Sequence, residues 1–133
     1  MKKLILVASL AALSGCSTLV DSYLMKYDPN EYQQISDIRT HASYYKNSCD
    51  NELMSITNAV ALATETARFK NYTQYLPHND KTANSAVELD KIAQGLDTQY
   101  RNAKVSPAFC KIKFGMVEKS AEDIQKIVGN KPR

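Results

Sequence analysis

The chain reads as an all-α protein, a small bundle of three or four helices, and three observations predict it. Glycine and proline are scarce, four of each in 133 residues, which suits helices better than a turn-rich sheet protein. Apolar residues recur at three- and four-residue steps over long stretches, the period of a helix face rather than the alternation of a strand. Proline also stands where helices begin, at Pro29 behind Asp28 and at Pro107 behind Ser106, each with a capping residue in front.

The first helical region starts at Asp28-Pro29-Asn30-Glu31. Asp28 caps, Pro29 takes the first helical position, where its missing N–H costs nothing, and Glu31 sits three residues after the cap. Ile35, Ile38, Ala42, Tyr45 and Cys49 then mark an apolar face, and Leu53, Ile56, Val60, Ala63 and Ala67 continue it. The region is either one helix of more than forty residues or two helices broken near Asn47-Ser48 or Asp50-Asn51, where the side chains offer the backbone competing hydrogen bonds. Leu76-Pro77-His78-Asn79-Asp80 is a loop, because Pro77 disfavours helical geometry at Leu76. Ala86, Leu89, Ala93, Leu96, Tyr100 and Ala103 face one way along the next helix, in which Gly95 is a slightly weak point that could admit a close neighbour. Ser106 and Pro107 open the last helix, with Phe109, Ile112, Met116, Ile124 and Ile127 as its apolar side. Gly129 and the polar residues behind it stop the helix and leave a frayed tail.

The N-terminus has a different character. Met1-Lys2-Lys3 is a short basic start, followed by an apolar run from Leu4 to Leu13 broken only by Ser9. That run is about half the ~20 residues needed to cross a bilayer, so it reads as a secretory signal. Leu13-Ser14-Gly15-Cys16 resembles the lipobox of bacterial lipoproteins. The resemblance implies that residues 1–15 are a signal peptide and that Cys16 is acylated as the first residue of the mature chain. It also implies anchoring to a lipid bilayer by a covalent lipid, with no other cofactor. Ser17 and Thr18, with no aspartate at 17, are similar to the sorting residues of outer-membrane lipoproteins and imply that destination, facing the periplasm. Residues 16–27 then read as a lipidated tether. Leu19, Val20, Tyr23, Leu24 and Met25 show no sustained helical pattern, so the stretch is a partly ordered linker, or packs back on the domain, or lies on the membrane or under a partner. Residues 28–133 form the single bundle domain.

Removing residues 1–15 leaves 118 residues, enough for one small domain with a modest core. The formal charge of +3 includes Lys2 and Lys3 and falls to about +1 without them. Lysines and acids alternate along the mature chain with no cationic stripe, so nothing points to nucleic acid. Of three cysteines, Cys49 and Cys110 remain once Cys16 carries lipid. In an exported chain such a pair forms a disulfide, here bracing the first and last helical elements. Closing a loop of about 60 residues stabilises a fold by about 4 kcal/mol on chain-entropy reasoning.

Catalytic chemistry finds little support. His41 and His78 are the only histidines, one in a helix and one in a loop, and both read as polar surface. No nucleophile elbow, phosphate loop, zincin spacing or short-spaced Cys/His set occurs. Asp90, Asp97, Glu118, Glu122 and Asp123 read as solvated helix charges. The expectation is therefore a non-enzymatic protein without a metal. The tyrosines carry more information: Tyr44, Tyr45, Tyr72, Tyr75 and Tyr100 fall in or beside helices. Either they fill the edges of an alanine-rich core with hydroxyls outward, or they line a contact surface, for which tyrosine supplies rigid amphipathic area. Alanines such as Ala59, Ala63, Ala86 and Ala93 allow close helix approach, and small residues inside aromatic rims can equally leave a groove for an amphipathic helix.

In size, in the Tyr44-Tyr45-Lys46-Asn47-Ser48-Cys49 segment late in the first helical region, and in the position of Cys110, the mature part resembles the helical pilotins of type II secretion systems. These are small outer-membrane lipoproteins with a disulfide-braced bundle. The resemblance implies a chaperone that binds the C-terminal helical segment of a secretin, or of a similar envelope protein, and carries it to the outer membrane, with the five tyrosines as partner-binding residues. The competing expectation is another non-enzymatic envelope lipoprotein: a scaffold, an inhibitor, or a phage- or plasmid-encoded exclusion factor.

Overall fold

The computed structural model describes residues 25–133. The expected signal peptide at 1–15, the expected lipid attachment at Cys16 and the expected tether up to residue 24 lie outside the described residues. Four helices follow one another: α1 (Pro29–Tyr45), α2 (Glu52–Tyr75), α3 (Asp80–Asn102) and α4 (Pro107–Gly129), with a short 3₁₀ turn at Lys46–Ser48.

Local chemistry sets these boundaries. The Asp28 carboxylate accepts from the backbone N–H of Asn30 at 2.7 Å and of Glu31 at 3.2 Å, satisfying donors that α1 itself leaves unpaired. The first helical region is two helices. The backbone tightens at Lys46–Ser48, turns, and restarts where Asn51 accepts from the Met54 N–H at 3.1 Å. Ser55, fully buried, seals the corner by donating to the carbonyls of Ser48 and Asn51 at 3.0 and 2.8 Å. α2 ends as Leu76 turns extended ahead of Pro77. At the last corner Ser106 accepts from the Phe109 N–H at 3.2 Å.

Each helix packs against its neighbours in sequence, and α1 lies against α4 to close the ring. The core is filled by Ile35, Ile38, Phe69, Leu89, Leu96, Phe114, Val117 and Ile124, all buried. The Cys49–Cys110 disulfide joins the corner after α1 to the first turn of α4, with Cα atoms 5.8 Å apart. The molecule is thus a four-helix bundle braced by one disulfide.

On α1 and α3 the buried residues match the predicted faces, except that Ala103 lies beyond the end of α3 and is exposed. On α2 and α4 only Ala63 and Ile124 of the predicted faces are buried. Leu53, Ile56 and Val60 face solvent, Leu53 at 78% exposure, while Ser55, Ala59, Leu62, Thr66, Phe69 and Thr73 point inward. The hydroxyls make this possible by returning hydrogen bonds to the helix backbone, Thr66 to Ala63 at 3.1 Å and Thr73 to Lys70 at 2.9 Å, so neither of these hydroxyl donors is stranded. On α4 the inward residues are Cys110, Phe114, Val117, Ala121, Ile124 and Val128, whereas Phe109, Ile112 and Met116 are exposed. Gly95 admits no neighbour: a Cβ there would meet nothing within 4 Å. Asp90 and Asp97 are buried rather than solvated. Asp90 is taken up by Lys70, Thr66 and Gln94, the last two at 3.0 Å, and Asp97 pairs with Arg101 at 2.7 Å.

Candidate functional site, an apolar groove between the third and fourth helices

The solvent-facing apolar residues of α4 are not scattered. Ile112, Met116 and Ile127 line one wall of a groove of about 620 Å³ whose other wall is α3, with Ser85, Glu88 and Ile92. Gly115 and Ser120 lie between, small enough to keep the trough open. From Ile112 to Ile127 the helix advances about 22 Å, the length of a four-turn helix. Charges stand along the rim but are spent on one another. Lys91 holds Glu88 at 2.6 Å, and Lys119 bridges Asp123 at 3.2 Å and Glu122 at 3.4 Å. These contacts draw the Glu122 carboxyl below the ordinary range, through hydrogen bonding from Lys126 first and the charge of Lys119 second. An apolar floor with a charge-balanced rim is suited to an amphipathic helix rather than to an ion.

Sequence reasoning assigned Ile112, Met116 and Ile127 to the core and passed over Ile92. One signal could have revealed the groove: α4 carries two apolar stripes, Cys110/Phe114/Val117/Ala121/Ile124 and Phe109/Ile112/Met116/Ile127. A helix apolar over more than one face has more than one neighbour to satisfy.

The five tyrosines do not converge on this groove. Tyr44 is 66% exposed and Tyr75 89% exposed, at opposite ends of the bundle. Tyr45 packs between the His41 ring, stacked at 5.7 Å, and the Phe114 ring, edge-on at 5.7 Å. Burial pushes its hydroxyl pKa up, with the Glu65 charge adding to the effect. Tyr72 donates to the Asp28 carboxylate at 2.8 Å, and that bond raises its pKa. Tyr100 is half-buried against the core. His41 holds the Glu65 carboxylate through Nδ1 at 2.9 Å, and His78 sits in the α2–α3 loop in left-handed backbone geometry, φ 57°.

A second polar assembly ties the two ends of the described chain together. Glu31 is completely buried. Asn79 donates to its carboxylate at 2.7 Å, and Lys131 from the tail holds its other oxygen while donating to Asn79 at 2.6 Å. Just outside, the Tyr27 N–H donates to the Pro132 carbonyl at 2.8 Å, and Arg133 lies over the Tyr27 ring at 5.0 Å. Residues 25–27 therefore lie against the tail, and Met25 shares a hollow with Ile127 and Pro132.

Among the described residues no three His, Cys, Asp or Glu side chains gather as a metal site, and no helix is long and apolar enough to cross a membrane. The chain matches no family model, no curated protein and no solved structure.

Proposed function

We propose that this protein is a lipid-anchored helix-binding chaperone of the bacterial envelope, acting as a pilotin does: the α3–α4 groove takes an amphipathic helix of a secretin or similar envelope protein, and acylated Cys16 holds the complex at the periplasmic face of the outer membrane. The reading rests on one observation, the trough in which Ile112, at 62% exposure, stands beside Met116 and Ile127. A four-turn helix seated there would bury about 500–800 Å² of apolar surface. At roughly 25 cal/mol per Å² that burial offsets the cost of ordering and immobilising the segment. The lipid confines the groove to a surface and so raises its effective concentration toward a partner inserting nearby.

The test is co-purification of the full-length lipidated chain from solubilised membranes. Ile112→Ser and Met116→Ser remove exposed apolar groups, so each is expected to leave the melting temperature within a few degrees while weakening capture of a secretin by about tenfold or more. Replacing Cys16 by serine should leave the groove intact and mislocalise the partner. Normal secretin assembly in a strain lacking the protein would overturn the reading.

A further inference from the structure

On the other side of α4, a second concavity of about 500 Å³ has a different lining: Arg39, Ser43 and Tyr44 from α1, Asn47 from the 3₁₀ turn, Glu118 and Glu122 from α4. Tyr44 is its only large ring. That ring stands mostly in solvent, edge-on to Tyr45 at 6.4 Å, and so presents an open aromatic face. Glu118 is drawn in by Lys46, which holds its carboxyl below the ordinary range, and Ser43 adds a hydrogen bond. Among the described residues, the Arg39 guanidinium, the Tyr44 hydroxyl and the Asn47 amide spend no hydrogen bond on the fold. They line the hollow with donors and acceptors to spare.

We infer that this hollow is a saccharide-binding site, sized for a disaccharide unit of a neutral or N-acetylated glycan. Three features favour sugar over other ligands. An exposed aromatic face attracts the slightly positive C–H bonds of a pyranose ring. Guanidinium, amide and carboxylate groups around it supply the mixed donors and acceptors that ring hydroxyls and acetamido groups require. Glu118 is engaged by Lys46 and Glu122 by Lys119 and Lys126, so the lining presents mixed rather than single-sign charge, and a single ring amid polar groups offers an apolar peptide face little area to bury. From Arg39 to Asn47 the helical backbone advances about 12 Å, close to the span of two linked pyranose rings. This site has its own lining and meets the α3–α4 groove only at the rim, where Glu122 pairs with Lys119; it does not depend on the helix-binding reading.

The experiment is titration of the isotopically labelled full-length chain in detergent micelles with N,N′-diacetylchitobiose, followed by amide chemical shifts. Saturable shifts are expected at Arg39, Ser43, Tyr44 and Asn47, with a dissociation constant on the order of 1 mM, as befits an open site. Tyr44→Ala and Asn47→Ala, both at exposed positions, should each weaken binding by about tenfold or more without moving the melting temperature, whereas Ile112→Ser should leave it unchanged. Absence of shifts at about twentyfold excess over that constant would overturn the proposal. So would titration unaffected by either the Tyr44 or the Asn47 variant, or an amphipathic peptide occupying the hollow where the sugar does not.

Discussion

Glu31, a carboxylate with no exposure to solvent, joins the start of α1, the α2–α3 loop and the C-terminal tail through Asn79 and Lys131. Removing one partner of a buried ion pair strands the other, a cost usually larger than the net worth of the intact pair. Glu31→Ala is therefore expected to destabilise the protein by about 3–5 kcal/mol, read as a lower urea midpoint at unchanged slope. Asp90 and Asp28 show a related balance with pH. Burial pushes each carboxyl upward. At Asp90 the bonds from Lys70, Gln94 and Thr66 outweigh it, and at Asp28 those from Tyr72 and the Glu31 and Asn30 N–H groups do so, leaving both below the ordinary aspartate range. A depressed folded-state pKa contributes stability that is complete above the unfolded value and lost as pH falls through the folded one. Unfolding free energy should thus drop as pH falls from about 5 toward 2, and Asp90→Asn should flatten that drop. A profile equally steep in the variant would refute the assignment. Tyr72 acts with the opposite sign: its raised pKa contributes below about pH 10 and is lost as pH climbs beyond, a loss that Tyr72→Phe should abolish.

At the scale of single elements, α3 follows its predicted apolar face through Leu96, and Gly95 is its weak point in helix propensity. The position is exposed and a Cβ would meet nothing within 4 Å. Alanine there reduces the freedom of the unfolded chain without strain in the folded one. Gly95→Ala should raise stability by about 1 kcal/mol in thermal unfolding. α2 is the opposite case. Its inward face is built from alanine, serine and threonine around Leu62 and Phe69, and its larger aliphatics Leu53, Ile56 and Val60 point outward. Small inward residues let α2 and α3 approach closely enough for Gln94 on α3 to donate to the Ala63 carbonyl on α2 at 2.9 Å, and for Thr66 to reach Asp90. A count of apolar residues by period points to the wrong face, because close approach rewards small side chains over greasy ones.

For the molecule as a whole, the disulfide and the polar assembly at Glu31 brace opposite ends of the ring. The covalent brace closes Cys49 to Cys110 across a separation of 61 residues. Replacing both cysteines by serine should cost about 4 kcal/mol, measured as the difference in denaturant stability, a large share of what a domain of this size possesses. With both ends held, α1 and α4 stay in register, and the two concavities that α4 borders keep their shape without a ligand. The α3–α4 groove and the α1–α4 hollow are therefore features of the fold itself.

The helix starts at Asp28 with Pro29 and at Ser106 with Pro107 were legible because they are local, each cap satisfying backbone donors two or three residues away; Asn51 caps in the same way, but the sequence left open whether a helix starts there. The disulfide and the inward faces of α1 and α3 could be read for the same reason, from residues whose chemistry leaves few alternatives. Which side of α2 and α4 turns inward is decided by neighbours far along the chain. So is the burial of Asp90 and Asp97, and so is the gathering of Ile92, Ile112, Met116 and Ile127 into one trough. Those choices depend on how closely two helices can approach and which polar groups find partners there, and both are fixed only when the four helices meet.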